Sequence, residues 1–331
     1  MNTATSAANG QLLILNQADL DGLQCTHDEI LRVVEHAFLA LGRKASANPV
    51  KTIVQPSDRR SIAYSMTGRD GDTETVGFKL AYEFDPQRER GQYQNHSLMF
   101  LCDDVTGRPL AVMDVIGIDA MRTAATTALL ARAAAAPHAR TALLVGTGLI
   151  GRRVLPFLTT ALPALERLIV YGRHAEGVRE VCLGVERHEP SRRVEVATDL
   201  EAAAREADIV VGATGAGASH AVRHAWLRPG AATVLLGYGV HADVLHGADY
   251  RIATDAAQMQ ITGTDLMVDG LLPAVDAELP AILLGDRLGR RHADERVFAY
   301  NSGMVVTDIA LGRLLVERAR HRGRGREVRL W

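Results

Sequence analysis

Residues 141–151 read Thr141-Ala-Leu-Leu-Val-Gly146-Thr-Gly148-Leu-Ile-Gly151, and this stretch decides the fold. An apolar, β-prone run leads directly into Gly-x-Gly-x-x-Gly, and a helix-compatible stretch follows. The first glycine permits a tight turn, the second lets backbone N–H groups approach a pyrophosphate, and the third lets the helix pack close to the strand. The order strand, glycines, helix therefore predicts a dinucleotide-binding turn, with a glycine-rich turn that binds nothing as the alternative. The expected cofactor-binding residues of this turn are Gly146, Thr147, Gly148, Leu149, Ile150 and Gly151.

The chain after Thr141 alternates between β-prone and helical stretches. Strands are predicted at 141–145, 167–171, 193–197, 208–213, 231–236 and 250–254. Such a βαβ alternation predicts a parallel sheet that is covered by helices on both faces. The fold class is therefore α/β, with a Rossmann dinucleotide-binding domain over residues 123–299.

About 140 residues precede the glycine motif, and they show a different pattern. A helix with an apolar face is predicted over residues 27–42, followed by short β-prone runs at 50–54, 61–67, 76–82, 97–102 and 110–115. An alanine-rich helix is expected at Met121–Ala136. The apolar side of a last helix, Val305–Arg320, is expected to pack back on this β-rich part. Residues 1–122 and 300–331 therefore form one discontinuous, β-rich domain.

Composition excludes several classes of protein. The 331 residues are 47% hydrophobic and 23% charged, with a formal net charge of −2, which is typical of a soluble globular protein and predicts no nucleic-acid partner. We see no signal peptide and no apolar run long enough for a bilayer, so no membrane partner is expected. Cys25, Cys102 and Cys182 share no metal-like spacing, so the sequence predicts no metal site and a cytoplasmic location.

The end of the second predicted Rossmann strand bears on the choice of cofactor. NAD-binding folds usually offer an acidic side chain here to the ribose hydroxyls, about 20 residues after the glycines. This chain has Gly172 at that place, followed by Arg173 and His174. Because an Arg would pair with a 2′-phosphate that a carboxylate would repel, NADP(H) is favoured and NAD(H) is not excluded. The alternative is that Arg173 points to solvent.

The fourth predicted strand ends at Ala213-Thr214-Gly215, at the edge of the sheet where ligands bind in open α/β folds. Ala213 and Thr214 are therefore expected to contact the cofactor. An ordinary exit from strand to loop is the alternative reading of this stretch.

Two cations lie in otherwise apolar or small-residue surroundings, namely Lys79 after Gly77-Phe78 and Arg122 before Thr-Ala-Ala125. A buried cation is costly unless it meets an anion, and a substrate carboxylate is one such anion. From spacing alone, an ion pair with an acidic residue of the protein is the favoured alternative for each.

These pieces together resemble the ornithine cyclodeaminase/mu-crystallin family. The resemblance covers residues 12–325 and rests on the order of five motifs. They are Gly77-Phe-Lys79, Thr106-Gly-Arg-Pro-Leu-Ala111, Arg122-Thr-Ala-Ala125, the central glycine motif and Asn301-Ser-Gly303-Met-Val-Val-Thr-Asp308. Within the family, Pro49-Val-Lys51, Gly239-Val-His241-Ala-Asp243 and the ending from Gly325 are most similar to an amino-acid dehydrogenase branch of siderophore and diaminopropionate biosynthesis.

The resemblance implies a homodimer formed through the β-rich domain, with the active site between that domain and the Rossmann domain. It implies that Lys79 and Arg122 bind the substrate carboxylate, with help from Lys51, which stands where relatives usually have Arg. His96 would face the substrate, and Asn301 and Gly303 would approach the nicotinamide. The charged stretch Tyr82–Gln94 would form a loop that sets side-chain specificity.

One position departs from the pattern of the cyclodeaminases. These relatives place a catalytic Asp just after the glycines that end the fifth Rossmann strand, whereas this chain reads Leu236-Gly237-Tyr238-Gly239. Asp243 is the next carboxylate, and it or His241 is the candidate replacement. Ammonia-losing cyclisation needs a positioned base, so its absence makes that chemistry doubtful.

We therefore expect an NAD(P)-dependent oxidoreductase that acts on the C–N bond of an amino or imino acid, with a small amino, keto or imino acid as its partner. The catalytic candidates are Lys79, Arg122 and Asp243. The alternatives are an ornithine or lysine cyclodeaminase with bound NAD, and a non-catalytic, crystallin-like protein that binds the cofactor.

Overall fold

A computed structural model of the chain describes residues 10–58, 60–84, 94–216, 218 and 220–330. Most of the expected specificity loop, with Arg88 and Arg90, lies outside these residues. The chain divides into two compact units. The first contains the described residues within Met1–Thr26, Arg43–Asp119 and Met304–Trp331, and the second contains His27–Gly42 and Ala120–Gly303.

The elements up to the glycine motif begin with β1 (Gln11–Leu15), α1 (Gln17–Asp21), α2 (His27–Gly42), β2 (Thr52–Val54), β3 (Ser61–Asp70), β4 (Thr75–Phe84), β5 (Gln94–Asp103), β6 (Pro109–Asp114) and α3 (Ile116–Ala134). The central elements are β7 (Thr141–Val145), α4 (Gly151–Ala161), β8 (Arg167–Tyr171), α5 (Ala175–His188), β9 (Val194–Val196), α6 (Leu200–Glu206), β10 (Ile209–Gly212) and β11 (Ala232–Leu235). The remaining ones are α7 (Ala242–His246), β12 (Tyr250–Ala253), α8 (Ala256–Thr262), β13 (Ala277–Glu278), α9 (Leu279–Leu283), β14 (Val297–Tyr300), α10 (Val305–His321) and β15 (Arg326–Arg329).

The first unit is built on a seven-stranded sheet with the order β15-β1-β6-β5-β4-β3-β2. Strands β2 to β6 pair antiparallel in sequence order, as the short β-prone runs predict, whereas β1 joins β6 in parallel and β15 closes the edge beside β1. Helix α10 packs on β3, β4 and β5. Its side chains from Val305 to Ala319 are mostly buried there, which confirms that the last helix packs on the β-rich part.

The second unit contains an eight-stranded parallel sheet with the order β13-β12-β14-β11-β10-β7-β8-β9. The strands are short and apolar, and β7, β10 and β11 are buried along almost their whole length, as expected of a sheet with helices on both faces. The α/β fold class is confirmed. The strand order reverses between β7 and β10, and ligands of open α/β sheets bind at such a switch point.

Helix α2 has the predicted bounds but belongs to the second unit, whereas the sequence-based boundaries placed it in the β-rich domain. Its apolar face, which includes Ile30, Val34 and Phe38, packs against α4 and α9. The amphipathic pattern shows that a helix has a buried face, but it contains no information about which element covers that face.

Within the described parts of the chain, no helix combines the length and hydropathy that crossing a bilayer requires. The same residues contain no cluster of His, Cys, Asp or Glu side chains suited to a metal ion.

Two half-buried histidines meet where the start of α2 packs near the end of α5. The His27 ring lies 4.7 Å from the Phe157 ring and 4.5 Å from the His188 ring, measured between centroids. Burial, reinforced by the charge of His188, lowers the pKa of His27 from 6.5 to about 4. The folded protein therefore holds His27 neutral over a pH range in which the unfolded chain protonates it.

Because its folded-state pKa is depressed, the stabilisation linked to His27 is present above pH 6.5 and is lost as the pH falls towards 4. After allowance for partial solvent screening, we expect a loss of about 2 kcal/mol in the free energy of unfolding. His27→Phe keeps a ring in place and should abolish this part of the pH dependence, measured by urea unfolding at pH 7.5 and 5. The same change at exposed His138 is the control, and an unaltered pH dependence in His27→Phe would contradict the assignment.

Candidate functional site

The turn between β7 and α4 brings three stretches of backbone into close contact. Gly146 has a φ of +113°, and a Cβ atom there would lie 2.5 Å from the carbonyl of Ala213, just after β10. A Cβ atom at Gly151 would lie 2.4 Å from the carbonyl oxygen of Gly146. By contrast, no atom of a described residue lies within 4 Å of a Cβ built at Gly148. Packing therefore requires the first and third glycines, whereas the second keeps open space in front of the turn.

The N-terminus of α4 is suited to an anion. Its N-cap residue, Ile150, supplies no side-chain acceptor, and its first turn contains no acidic residue. The first N–H groups of a helix lack partners within the helix and bind phosphate readily. The Arg152 guanidinium adds positive charge at this end, and its Nε donates to the Thr147 carbonyl oxygen at 3.2 Å. Leu149 at the turn is 46% exposed.

A cavity of about 320 Å³ opens where β7, β8 and β10 end, at the switch point of the sheet. Six of the residues predicted to bind cofactor line it: Gly146, Thr147, Gly148, Arg173, His174 and Thr214. The other predicted ones, Leu149, Ile150, Gly151, Ala213, Asn301 and Gly303, are not among its lining residues.

The cavity also includes residues that the sequence analysis did not single out. Tyr171 ends β8 and His220 follows β10, and their rings meet edge to face with centroids 6.1 Å apart. Glu176, in the first turn of α5, also lines the cavity, and its carboxylate accepts from Arg179 at 2.8 Å. All three lie at or just after the carboxyl ends of strands. That position in the sequence could have identified them as candidate ligand contacts.

The loop after β8 presents positive charge to the cavity. Arg173 and His174 are exposed and line the wall, and the structure records no ion pair for Arg173 with any residue it describes. The Glu176 carboxylate is offset by Arg179. Among the described residues of this wall, Arg173 therefore offers an available guanidinium and no carboxylate is unpaired.

The position of the expected catalytic acid is occupied by a glycine in a left-handed conformation. Gly239 has a φ of +99°, and a Cβ atom there would lie 3.0 Å from Cγ2 of Thr214. The Thr214 N–H donates to the Tyr238 carbonyl at 3.1 Å, and the Tyr238 N–H donates back at 3.0 Å. An aspartate at 239 would therefore meet both backbone strain and steric crowding.

Asp243, the candidate replacement, lies in the first turn of α7. Its Oδ1 accepts the His224 N–H at 3.2 Å, and its own N–H donates to Nδ1 of His241, also at 3.2 Å. Arg223 lies 3.8 Å from Oδ2. Asp243 does not line the cavity. Its carboxylate instead accepts a backbone hydrogen bond near the start of α7.

In the first unit, Lys79 is bound by two acidic side chains of the protein. Its Nζ donates to Asp119 at 2.8 Å and to Asp308 at 2.9 Å, and the lysine is only 2% exposed. The ion-pair alternative for Lys79 is thus realised. An ammonium group has three N–H donors, and described residues accept two of them.

His96 and Lys79 project from opposite faces of the same sheet. Lys79 pairs with Met99 and Tyr82 pairs with His96, and alternate residues of a strand face opposite ways. Lys79 is on the face covered by α10, whereas His96 is exposed on the other face. Within one copy of this unit, the two residues expected to bind substrate are therefore separated by the sheet. Lys51 is half-buried, directly before β2 at the sheet edge.

In the second unit, Arg122 is 6% exposed and its guanidinium lies beside Gly303, where a Cβ atom would be 3.1 Å from Nη1. The amide of Asn301 is used internally. Its Nδ2 donates to the Thr123 carbonyl at 3.1 Å and to Oγ1 of Thr127 at 3.0 Å, and its Oδ1 accepts the Gly303 N–H at 3.2 Å. Asn301 thus links the segment after β14 to α3, while Gly303 adopts a φ of +68°.

Comparison with known proteins agrees with these features. The family model described as "Ornithine cyclodeaminase/mu-crystallin family" matches residues 11–323. The N-((2S)-2-amino-2-carboxyethyl)-L-glutamate dehydrogenase of Staphylococcus aureus is 24% identical over 98% of this chain and 100% of its own length.

Two solved structures share the fold. A Delta(1)-pyrroline-2-carboxylate reductase of Thermococcus litoralis, in complex with NADH and L-proline, has a TM-score of 0.82 at 21% identity and covers 96% of this chain and 100% of its own. An archaeal alanine dehydrogenase dimer with bound NAD has a TM-score of 0.83 at 20% identity, covering 97% and 100%.

Proposed function

This chain belongs to the ornithine cyclodeaminase/mu-crystallin family, and we propose that it is an NAD(P)-dependent oxidoreductase acting on the C–N bond of a small amino or imino acid. The substrate is either a cyclic imine or an imine formed between a 2-oxo acid and an amine, and the reverse reaction oxidises an amino acid. The named activities of the Staphylococcus aureus dehydrogenase and the Thermococcus litoralis reductase support this reaction class.

The observation that carries the proposal is the pairing of a complete dinucleotide turn with Gly239. Gly148 and the N-terminus of α4 fit a pyrophosphate, because the open space at Gly148 lets the ligand approach the backbone. The left-handed φ of Gly239 and the nearby Thr214 side chain disfavour the acid that a cyclodeaminase uses there. The chain thus has the features of a nicotinamide enzyme without the expected base for ammonia loss.

Each part of the second unit has a defined task in this proposal. A bound nicotinamide cofactor supplies or accepts the hydride. The turn Gly146–Gly151 binds the pyrophosphate, while Thr214 borders the carboxyl edge of the sheet. Arg173 pairs with a 2′-phosphate, which favours NADP(H) over NAD(H).

Arg122 binds the substrate carboxylate in this proposal, since a guanidinium can donate two parallel hydrogen bonds to a carboxylate. Lys79 contributes its remaining N–H donor, while Asp119 and Asp308 hold its ammonium group in one position. Binding the carboxylate fixes the position of the carbon that exchanges the hydride. Residues that do not take part in hydride transfer can lower the barrier in this way.

The family resemblance also allows two alternative functions, which predict different assay results. A cyclodeaminase would release ammonia from ornithine or lysine without a net change in nicotinamide absorbance. A crystallin-like protein would bind the cofactor but turn over no amino or keto acid. The decisive assay follows NADPH and NADH oxidation at 340 nm with cyclic imines and with mixtures of 2-oxo acids and amines. Ammonia release from ornithine without net redox change would exclude the proposed reaction.

We also propose a homodimer formed through the exposed face of the β-rich sheet. Phe78, Leu80, Tyr82 and Leu98 are between 43% and 59% exposed on neighbouring strands β4 and β5. Contiguous apolar surface of this kind is unusual on a monomer and marks an interaction site. A second copy of the chain is the proposed occupant, and the dimer of the archaeal alanine dehydrogenase supports this choice.

Arg122→Ala should lower kcat/KM roughly 10- to 100-fold, because a charge-assisted pair with the substrate carboxylate is lost. The dissociation constant of the cofactor, measured by nicotinamide fluorescence, should stay within about twofold. Arg205→Ala, which removes an exposed arginine on α6, is the matched control. Wild-type kcat/KM in Arg122→Ala would overturn the assignment.

Arg173→Ala should weaken NADPH binding about tenfold and leave NADH binding nearly unchanged, because only NADPH has the 2′-phosphate. Fluorescence titration with both cofactors measures this difference. Arg187→Ala, at the exposed end of α5, serves as control. Equal losses for both cofactors, or a wild-type preference for NADH, would contradict the NADP(H) proposal.

Leu80→Lys combined with Leu98→Lys should convert the dimer to a monomer. The two leucines are paired neighbours on strands β4 and β5, so the variant places two charges side by side on the apolar sheet face. Light scattering coupled to size-exclusion chromatography measures the mass. Val105→Lys changes another exposed apolar residue, in the turn after β5, and should leave the dimer intact. A dimer in the Leu80/Leu98 variant would place the interface elsewhere.

A further inference from the structure

Thr147, between the first two glycines of the turn, is enclosed by two glycines of other elements. A Cβ atom at Gly172, just after β8, would lie 2.6 Å from Cγ2 of Thr147. A Cβ atom at Gly177, in the first turn of α5, would lie 2.3 Å from its Oγ1. Real Cβ atoms do not approach other atoms so closely, so the threonine occupies the space that side chains at both positions would need.

The side chain of Thr147 also belongs to the cavity wall. It is 8% exposed and lines the cavity together with Gly172, Arg173 and Gly177. The structure records no hydrogen bond for its hydroxyl group with any residue it describes, and the residue borders the open cavity. A ligand in the cavity would offer acceptors that the protein does not.

We propose that Thr147 is a specificity-determining residue for the cofactor: its methyl group excludes a carboxylate from position 172, and its hydroxyl group donates to the adenosine ribose or its 2′-phosphate. The inference rests on the proposed use of a nicotinamide dinucleotide. It goes beyond the charge of Arg173, because it makes the missing acid a consequence of packing in the glycine turn.

The physical basis is competition for one volume. An acidic side chain after β8 recognises the ribose hydroxyls of NAD and repels the 2′-phosphate of NADP. In this chain such a side chain meets Thr147 first, and the backbone of Thr147 is held between Gly146, with its φ of +113°, and the start of α4. Cγ2 of Val178 would lie 3.0 Å from the same Cβ atom and must give way by a few tenths of an ångström. A smaller residue at position 147 removes the closest of these contacts. The two positions are therefore coupled.

The matched variants separate the methyl group from the hydroxyl group. Thr147→Ser removes the methyl group that blocks position 172, while its Oγ would remain 3.1 Å from a Cβ there, a contact that a small shift relieves. Thr147→Val retains the steric block and removes the hydroxyl group. Gly172→Ala is the smallest probe of the occupied volume, and Gly172→Asp introduces the acid.

The stability experiment measures Tm of the full-length protein for Gly172→Ala, Thr147→Ser and the double variant. Gly172→Ala alone should lower Tm by several degrees, and Thr147→Ser/Gly172→Ala should recover part of that loss, since residues in contact are non-additive. The contact of the new Cβ atom with Cγ2 of Val178 remains in the double variant. Additive changes would overturn the packing part of the proposal. This readout needs no cofactor, so it stands even if the wild-type protein prefers NADH.

The binding experiment measures dissociation constants of NADPH and NADH by fluorescence titration. Thr147→Ser/Gly172→Asp should bind NADH at least about tenfold more tightly than NADPH, whereas Gly172→Asp alone should bind both poorly. Thr147→Val should weaken NADPH binding about threefold or more, because the hydrogen bond from the threonine hydroxyl to the cofactor is lost. The specificity role is overturned if Gly172→Asp alone switches to NADH with wild-type Tm, or if Thr147→Val binds as the wild type does.

Discussion

The close contact of three backbone segments at Gly146 is the constraint on which the rest of the second unit depends. Strand β7 must end against the carbonyl of Ala213 after β10, and α4 must begin against the carbonyl of Gly146 itself. Only a residue without a Cβ atom can occupy either contact. Because this turn brings the ends of β7, β8 and β10 together, the cavity and its charged wall exist where the strand order reverses.

The two buried cations are accommodated in different ways. Lys79 is held between Asp119 and Asp308 on the face of the sheet that α10 covers, so removing the lysine would leave a buried carboxylate without its ion pair. Arg122 lies beside Gly303, in a segment that Asn301 ties to α3, because its Nδ2 donates to Thr123 and Thr127 while its Oδ1 accepts the Gly303 N–H. Two cations that look alike in the sequence thus lie in different surroundings in the structure.

Local patterns predicted the elements well. Helix α2 has the bounds given by its apolar spacing and terminal glycine, and the strand β7 has the bounds given by its apolar run. Helix α3 begins at Ile116, five residues before the predicted start, and the carboxylate of Asp114 accepts the otherwise unpartnered first N–H, that of Ile116, at 3.0 Å. Pairing between distant segments, such as β1 with both β6 and β15, leaves no periodic signal in either partner and was not predicted.

The sequence by itself determined the α/β class, the dinucleotide turn and the absence of an acid at positions 172 and 239, because these depend on residue type and short-range spacing. Only the tertiary structure decided that Thr147 occupies the space beside Gly172, that Gly239 is left-handed against Thr214, and that His96 and Lys79 lie on opposite faces of one sheet. Each of these depends on which residues, distant in the sequence, come within a few ångströms of one another. A one-dimensional pattern reports the side chains that are present, whereas the fold determines which of them compete for the same space.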